Sequence, residues 1–386
     1  MRTILALCCA PLLWCADLAS QAVADAQGPL FTISTYEPAP VPGRTYPVLL
    51  CFHGGENHTS PDSGAERGAV RRMREALERN QRGGDWLVMS LHCPGRGWYW
   101  DVRDATVLER MRRFTAWMLA TRPQIDPRRV FYYGYSNGAA AAGRIVQSQP
   151  TTFAAVMPWA GGPDAKFDAV DAAVLPDFFV TAASGETADW HRQIVGHVAN
   201  LRRRGVRTLY VQPDGTAHAT LGREEWLLDE GIRWMSGLRA KAILPNAADR
   251  ALLQRLHARK TFSISAAEAV EIERIGGREA AEVLQRGLES TSPTLRAGSA
   301  QVAGRGNHPS LVPALARIAL SDKDRTVRSQ AIIALSMQAR WRDLTALDGL
   351  IAIVDATTSS VADRMQAMQA IDEALTPLKR GGLAVD

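Results

Sequence analysis

The apolar positions of this chain follow two patterns, which change over near residue 240. From residue 30 to about 237, short unbroken apolar runs alternate with stretches of helical period. The runs Val48–Phe52, Trp86–Leu91, Val130–Gly134, Ala154–Trp159, Phe178–Ala182 and Leu209–Gln212 carry no polar alternation. They therefore read as strands covered on both faces. Between them the spacing predicts helices over 65–80, 104–121, 137–149, 188–204 and 222–236. Strand and helix in alternation predict an α/β fold, a parallel sheet flanked by helices. Phe31–Tyr36 is expected to add an antiparallel edge strand.

Leu244-Pro245-Asn246 interrupts the alternation, and every later segment is helical in period. Pro293-Thr294-Leu295-Arg296-Ala297 returns 32 residues later as Arg325-Thr326-Val327-Arg328-Ser329, and Arg364-Met365-Gln366-Ala367 opens a third copy. An irregular helical bundle could carry such a period, but repetition favours helix pairs that stack to bury faces none could bury alone. The pattern resembles HEAT repeats. The expected organisation is an α/β domain over 27–240 and an all-α helical repeat domain over 247–386. Ahead of both, residues 1–26 read as a secretory leader. Arg2 precedes the apolar run Ile4–Trp14, and Ala22-Val23-Ala24 and Ala24-Asp25-Ala26 are small-x-small cleavage sites. A secreted or periplasmic protein is the expectation, and no other segment is apolar enough to span a membrane.

Composition changes this picture little. Hydrophobic residues make up 46% and charged residues 22%, which excludes a mainly disordered chain. The net charge of +5 includes clusters at Arg71-Arg72 and Arg202-Arg203-Arg204. Both clusters lie on helices with apolar partners and no interleaved aromatics, so solvated faces are expected and no nucleic-acid partner. Beyond the leader only Cys51 and Cys93 remain, expected as two buried thiols rather than a disulfide. No His, Cys and acid cluster has ligand spacing, so no metal and no cofactor is expected. The repeats favour a protein partner that nothing in the chain names.

Candidate chemistry gathers at the strand ends. Gly134-Tyr135-Ser136-Asn137-Gly138 follows one strand and opens a helix, the setting of a nucleophile elbow. Ser136 is the candidate nucleophile, and the Asn137 N–H can face a developing oxyanion. His218, just past the last strand, is the candidate base. The acid is expected at Asp189, with Glu186 on the same loop as its rival. A second oxyanion donor is expected at Gly55 or Glu56, after His53-Gly54, where the backbone can approach a substrate closely. Trp98, Trp100, Tyr135, Trp159 and Trp190 crowd these loops and could form a stacking surface or simply core.

These residues together resemble the α/β-hydrolase superfamily, and within it secreted esterases akin to polyhydroxybutyrate depolymerases and feruloyl esterases. The resemblance covers roughly 30–237. It rests on His53-Gly54-Gly55, the Ser136 pentapeptide, the Gly185–Asp189 loop and the Pro213–His218 loop. It implies a serine hydrolase that cleaves carboxylic esters through an acyl-enzyme, with a Ser136, His218 and Asp189 triad. Those relatives carry their acid in a Gly-x-x-Asp loop, one residue shorter than here, which keeps Glu186 in contention. The stretch Gly161–Pro176 is too short for a helical cap, so an open site is expected. A serine peptidase on the same fold is the rival enzyme. A non-catalytic scaffold whose repeats carry the function is the rival of another class.

Overall fold

The computed structural model describes residues 20–55, 65–80, 85–92, 100–164, 167–259, 263–306, 308–340 and 344–379. Eight strands form one sheet: β1 (Ser20–Asp25), β2 (Gly28–Tyr36), β3 (Tyr46–Phe52), β4 (Leu87–His92), β5 (Ile125–Tyr135), β6 (Ala155–Trp159), β7 (Asp177–Thr181) and β8 (Thr208–Val211). Their order is β1-β2-β4-β3-β5-β6-β7-β8. Pairing is parallel from β4 through β8, and β1 and β2 are antiparallel. Strands β3, β6 and β7 are buried at every position, as their unbroken apolar runs require.

The strand expected at the edge, Phe31–Tyr36, lies one place in. The edge is β1, which places buried Val23 under the sheet and pairs Asp25 with Arg113. Residues 1–19 of the expected leader lie outside the described residues, and its last residues are this strand. Its mixed sequence, Ser20-Gln21-Ala22-Val23-Ala24-Asp25, gives no strand signal of its own, so pairing with β2 decides it.

Helices α1 (Ala65–Arg79), α2 (Ala105–Thr121), α3 (Asn137–Ser148), α4 (Ala188–Arg203), α5 (His218–Leu221) and α6 (Glu225–Ser236) connect and cover the strands. One face of the sheet packs on α2, α3 and α4 through Phe114, Met118, Ile145, Ile194 and Leu201. The other packs on α1 and α6 through Val70, Met73, Leu77, Leu227 and Ile232. Helix starts follow their caps: Asp104 accepts from Thr106 N–H at 2.8 Å, and Thr187 from Trp190 N–H at 3.3 Å.

Residues 247–379 form the helices α7 (Ala247–Ala258), α8 (Ala266–Ile275), α9 (Gly277–Leu288), α10 (Pro293–Arg305), α11 (Val312–Ser321), α12 (Arg325–Arg340), α13 (Leu344–Asp355) and α14 (Val361–Lys379). They share a separate hydrophobic core. Helices α10, α12 and α14 stack side by side, and α11 packs on α13. The repeated arginine has a structural use. Arg296 Nε meets Asp322 Oδ2 at 2.6 Å, and Arg328 Nε meets Asp363 Oδ2 at 2.9 Å, each tying one unit to the next.

Two buried arginines join the domains. Arg128 donates to the Ile275 carbonyl at 2.7 Å, and Arg239 donates to the carbonyls of Arg274 at 2.6 Å and Glu273 at 3.1 Å. These are the last carbonyls of α8, which lack intrahelical partners and sit at the negative end of the helix dipole. Burial opposes the charge of both guanidinium groups, and that row of carbonyls offsets it. The chain then turns at Gly276 and Gly277, with φ of 55° and 74°. A Cβ on Gly277 would lie 2.9 Å from Arg128 Nη2. A cavity of about 660 Å³ lies beside this junction, at the N-terminal ends of β3 and β4, lined partly by Arg44, Arg129, Arg239 and Arg274.

His308 is buried at the same junction, and a Cβ on Gly306 would sit 2.4 Å from its Nε2. Burial, then the Arg239 charge, push its pKa from near 6.5 down to about 4. A depressed imidazole stabilises the fold while neutral, so its contribution is complete above pH 6.5 and is lost as pH falls through about 4. Urea unfolding between pH 7 and 4 should therefore lose stability more steeply for the native chain than for His308→Asn, by up to ~1.4 kcal/mol per pH unit. Equal slopes would refute it.

Candidate active site

The site is built at the C-terminal ends of β3, β5 and β7 and beyond β8, where open α/β sheets leave a crevice. Ser136 joins β5 to α3 with φ of 52° and ψ of −110°, a conformation costly for any residue with a Cβ. Its N–H donates to the Trp159 carbonyl at 2.8 Å, and its carbonyl accepts from Ala139 and Ala140 N–H. The flanking glycines are required by contact. A Cβ on Gly134 would lie 2.3 Å from the Gly138 carbonyl oxygen, and one on Gly138 would lie 2.4 Å from that of Phe52. Strand and helix meet too closely there for any side chain.

Three expected loops come together. Ser136 Oγ lies 2.8 Å from His218 Nε2. His218 Nδ1 lies 2.9 Å from both Glu186 Oε1 and Oε2. The carboxylate beside the imidazole is thus Glu186, not Asp189. The Glu186 side chain is 4% exposed, whereas that of Asp189 is 80% exposed and paired with Arg192. The cause is the start of α4. Thr187 caps that helix, so Asp189 falls in its first turn, where a carboxylate suits the dipole but points into solvent. Glu186 precedes the cap, and its side chain turns to the imidazole.

The loops of Glu186 and His218 are tied to each other. Gly185 N–H donates to the Thr216 carbonyl at 2.8 Å, Ser184 N–H to Thr216 Oγ1 at 3.2 Å, and Thr216 N–H to Ser184 Oγ at 3.1 Å. Sequence reading missed Ser184 and Thr216. A hydroxyl in each of two loops was their only signal, and the pairing across 32 residues comes from the sheet. Burial, together with the Glu186 charge, raises the nearby Tyr210 phenol to about 12. The Tyr210 hydroxyl is held by His191 Nε2 at 3.1 Å and Gln212 Oε1 at 3.3 Å.

The Asn137 N–H heads α3, and its Oδ1 is occupied by the Trp100 N–H at 2.6 Å. The loop after β3 approaches Ser136, since a Cβ on Gly54 would lie 3.2 Å from Ser136 Cβ. Gly55 follows it directly, while Glu56 lies outside the described residues. His53 fixes this loop, with Nδ1 2.7 Å from the Gly54 carbonyl oxygen and its own carbonyl accepting from Trp100 Nε1 at 3.2 Å.

The aromatics part company. Trp100 and Trp159 are core, the first against Phe52 and the second donating Nε1 to the Leu221 carbonyl at 3.2 Å. Neither offers a stacking face. Trp98, like Cys93, lies outside the described residues, and Cys51 is buried in β3. Trp190 is half-buried near the elbow and donates Nε1 to the Ala160 carbonyl at 3.2 Å. Tyr135 is half-buried under the His218 ring, with centroids 5.9 Å apart. Among the described residues no group of His, Cys, Asp and Glu could hold a metal ion, and no helix is long and apolar enough to cross a membrane.

Residues 250–336 and 281–371 match the family model of HEAT repeats. A comparison with curated protein sequences gives no match. Similar solved structures include a thermostable esterase, 20% identical, with a TM-score of 0.48 over 58% of this chain and 63% of that one. Another is an acylaminoacyl peptidase from Pyrococcus horikoshii, 11% identical, with a TM-score of 0.41 over 59% of this chain and 42% of that one. A third is a phospholipase/carboxylesterase from Dyadobacter fermentans, 14% identical, with a TM-score of 0.39 over 52% of this chain and 95% of that one. The chain thus spans less than two thirds of the length of the first two. The sheet order, the flanking helices and the elbow are those of an α/β-hydrolase fold, followed by HEAT-type repeats.

Gly138→Ala should cost about 1–3 kcal/mol, because backbone on both sides of the new methyl must move. Thermal unfolding should show a lowered Tm. An unchanged Tm would mean that the β3 end yields freely.

Proposed function

We propose that this chain is a serine hydrolase acting on carboxylic esters, with Ser136 as nucleophile, His218 as base and Glu186 as the orienting acid. One observation carries the reading: the unbroken line from Ser136 Oγ through both nitrogens of His218 to a buried carboxylate. In the tautomer that serves, Nδ1–H donates to Glu186 and Nε2 accepts the serine proton. Ser136 Oγ attacks the ester carbonyl while His218 takes its proton. The imidazolium, stabilised by Glu186, then protonates the leaving alcohol. Water releases the acyl group by the same steps in reverse, with His218 again as base. The oxyanion faces the Asn137 N–H and a second donor from the loop after β3, Gly55 being the candidate among the described residues.

An open site fits esters that are soluble or reach from outside. Among the described residues between β6 and β7 there is no helix, so nothing helical from that segment covers Ser136. The apolar run Ile4–Trp14 supports action outside the cytoplasm, secreted or periplasmic, with processing ahead of β1 because cleavage at Ala24 or Ala26 would remove that paired strand, and the repeats supply a surface for a protein partner.

A fluorophosphonate probe tests the assignment. The native protein should label and Ser136→Ala should not. Against a panel of acetyl, butyryl and aryl esters, Glu186→Gln should lower kcat by ~10³–10⁴-fold, because the carboxamide no longer orients or stabilises the imidazolium. Asp189→Ala should stay within about twofold, since an exposed ion pair contributes little. No labelling of native protein, or equal damage from the two acid variants, would sink the proposal.

A further inference from the structure

We propose that Tyr135, the residue before the nucleophile, is a positioning residue that fixes the base loop against the elbow and the oxyanion loop. The inference rests on the hydrolase reading above. Tyr135 ends β5, where its backbone pairs with Trp159 of β6. Its ring runs between two glycines. A Cβ on Gly54 would lie 3.1 Å from Cδ1, and one on Gly222 would lie 3.1 Å from Cε2. Gly54 belongs to the loop that approaches Ser136, and Gly222 closes the short helix α5 that begins at His218. At its far end the Tyr135 hydroxyl donates to the His218 carbonyl. One side chain of the elbow therefore touches the other two loops, without lying in the line of proton transfer.

The geometry explains why a loop beyond the last strand can present an imidazole at a defined distance. His218 is carried by α5, a helix of 4 residues, too short to orient itself. The loop is held in front by Thr216, which binds Ser184 and Gly185, and behind by the Leu221 carbonyl, which accepts from Trp159 Nε1. The Tyr135 bond acts on the backbone of His218 itself. Removing it leaves both ends tethered while the middle residue can shift along the Ser136 direction, and reaction rates are steep in such displacements. Gly54 and Gly222, with no side chains, leave the space in which the ring lies between them.

Tyr135→Phe keeps the ring and removes only the hydroxyl. The expected result is a fall in kcat on the order of tenfold with KM unchanged, and no more than the small loss of Tm that one hydrogen bond brings. The rate of fluorophosphonate labelling of Ser136 should fall by the same factor. In a His218→Ala background the same substitution should have no further effect on residual hydrolysis, because there is no imidazole left to position. A merely structural tyrosine would instead weaken both backgrounds alike. Native labelling rate and kcat in Tyr135→Phe overturn this role alone. Absence of labelling in the native protein overturns the hydrolase reading, and this role with it.

Discussion

The site depends on one backbone constraint, the left-handed turn at Ser136. An L-residue does not rest there by itself, and neighbouring contacts keep it there. β5 and α3 approach so closely that the Gly134 and Gly138 backbones touch, and Gly138 in turn rests on the end of β3. A Ser136 N–H bond to Trp159 fixes the third side, from β6. The serine hydroxyl thus projects from the middle of an eight-stranded sheet, and its position is as rigid as that sheet.

The imidazole and the carboxylate lack such support from regular structure and are held by side chains instead. Two loops leave neighbouring strands β7 and β8, and their proximity is a consequence of parallel pairing. Ser184, Gly185 and Thr216 turn that proximity into fixed geometry through hydrogen bonds. Burial of Glu186 strengthens its interaction with an imidazolium, since little water screens the pair. An aspartate three residues later is chemically equivalent but stands in solvent. Which carboxylate meets the imidazole is therefore decided by the point at which α4 begins.

The helical repeats are attached at the opposite end of the sheet from Ser136. The joint combines a helix C-terminus with two buried guanidinium groups. Arg128 lies near the start of β5, ahead of its continuous buried run Val130–Gly134, in the strand that ends in the elbow. One strand thus carries the joint at its start and leads into Ser136 at its end, so the two domains share a rigid element.

Much of this was legible in the chain. The unbroken apolar runs identified the parallel strands, because strands buried on both faces need no polar side. Gly134-Tyr135-Ser136-Asn137-Gly138 announced the turn, because only glycine fits where backbones touch. The return of an arginine after 32 residues announced stacked helix pairs, because each unit must bind the next. Other features waited on the folded chain. β1 has no pattern of its own and exists by pairing with β2. Trp100 and Trp159 read like a stacking surface, yet both are packed inside, since an aromatic near a strand end suits core and pocket equally. Glu186 and Asp189 could be separated only by knowing which precedes the helix cap and which faces the imidazole. Local pattern records what each segment must bury or how it must turn. Which side chains from distant segments meet is set by sheet order and loop reach, and those belong to the tertiary structure.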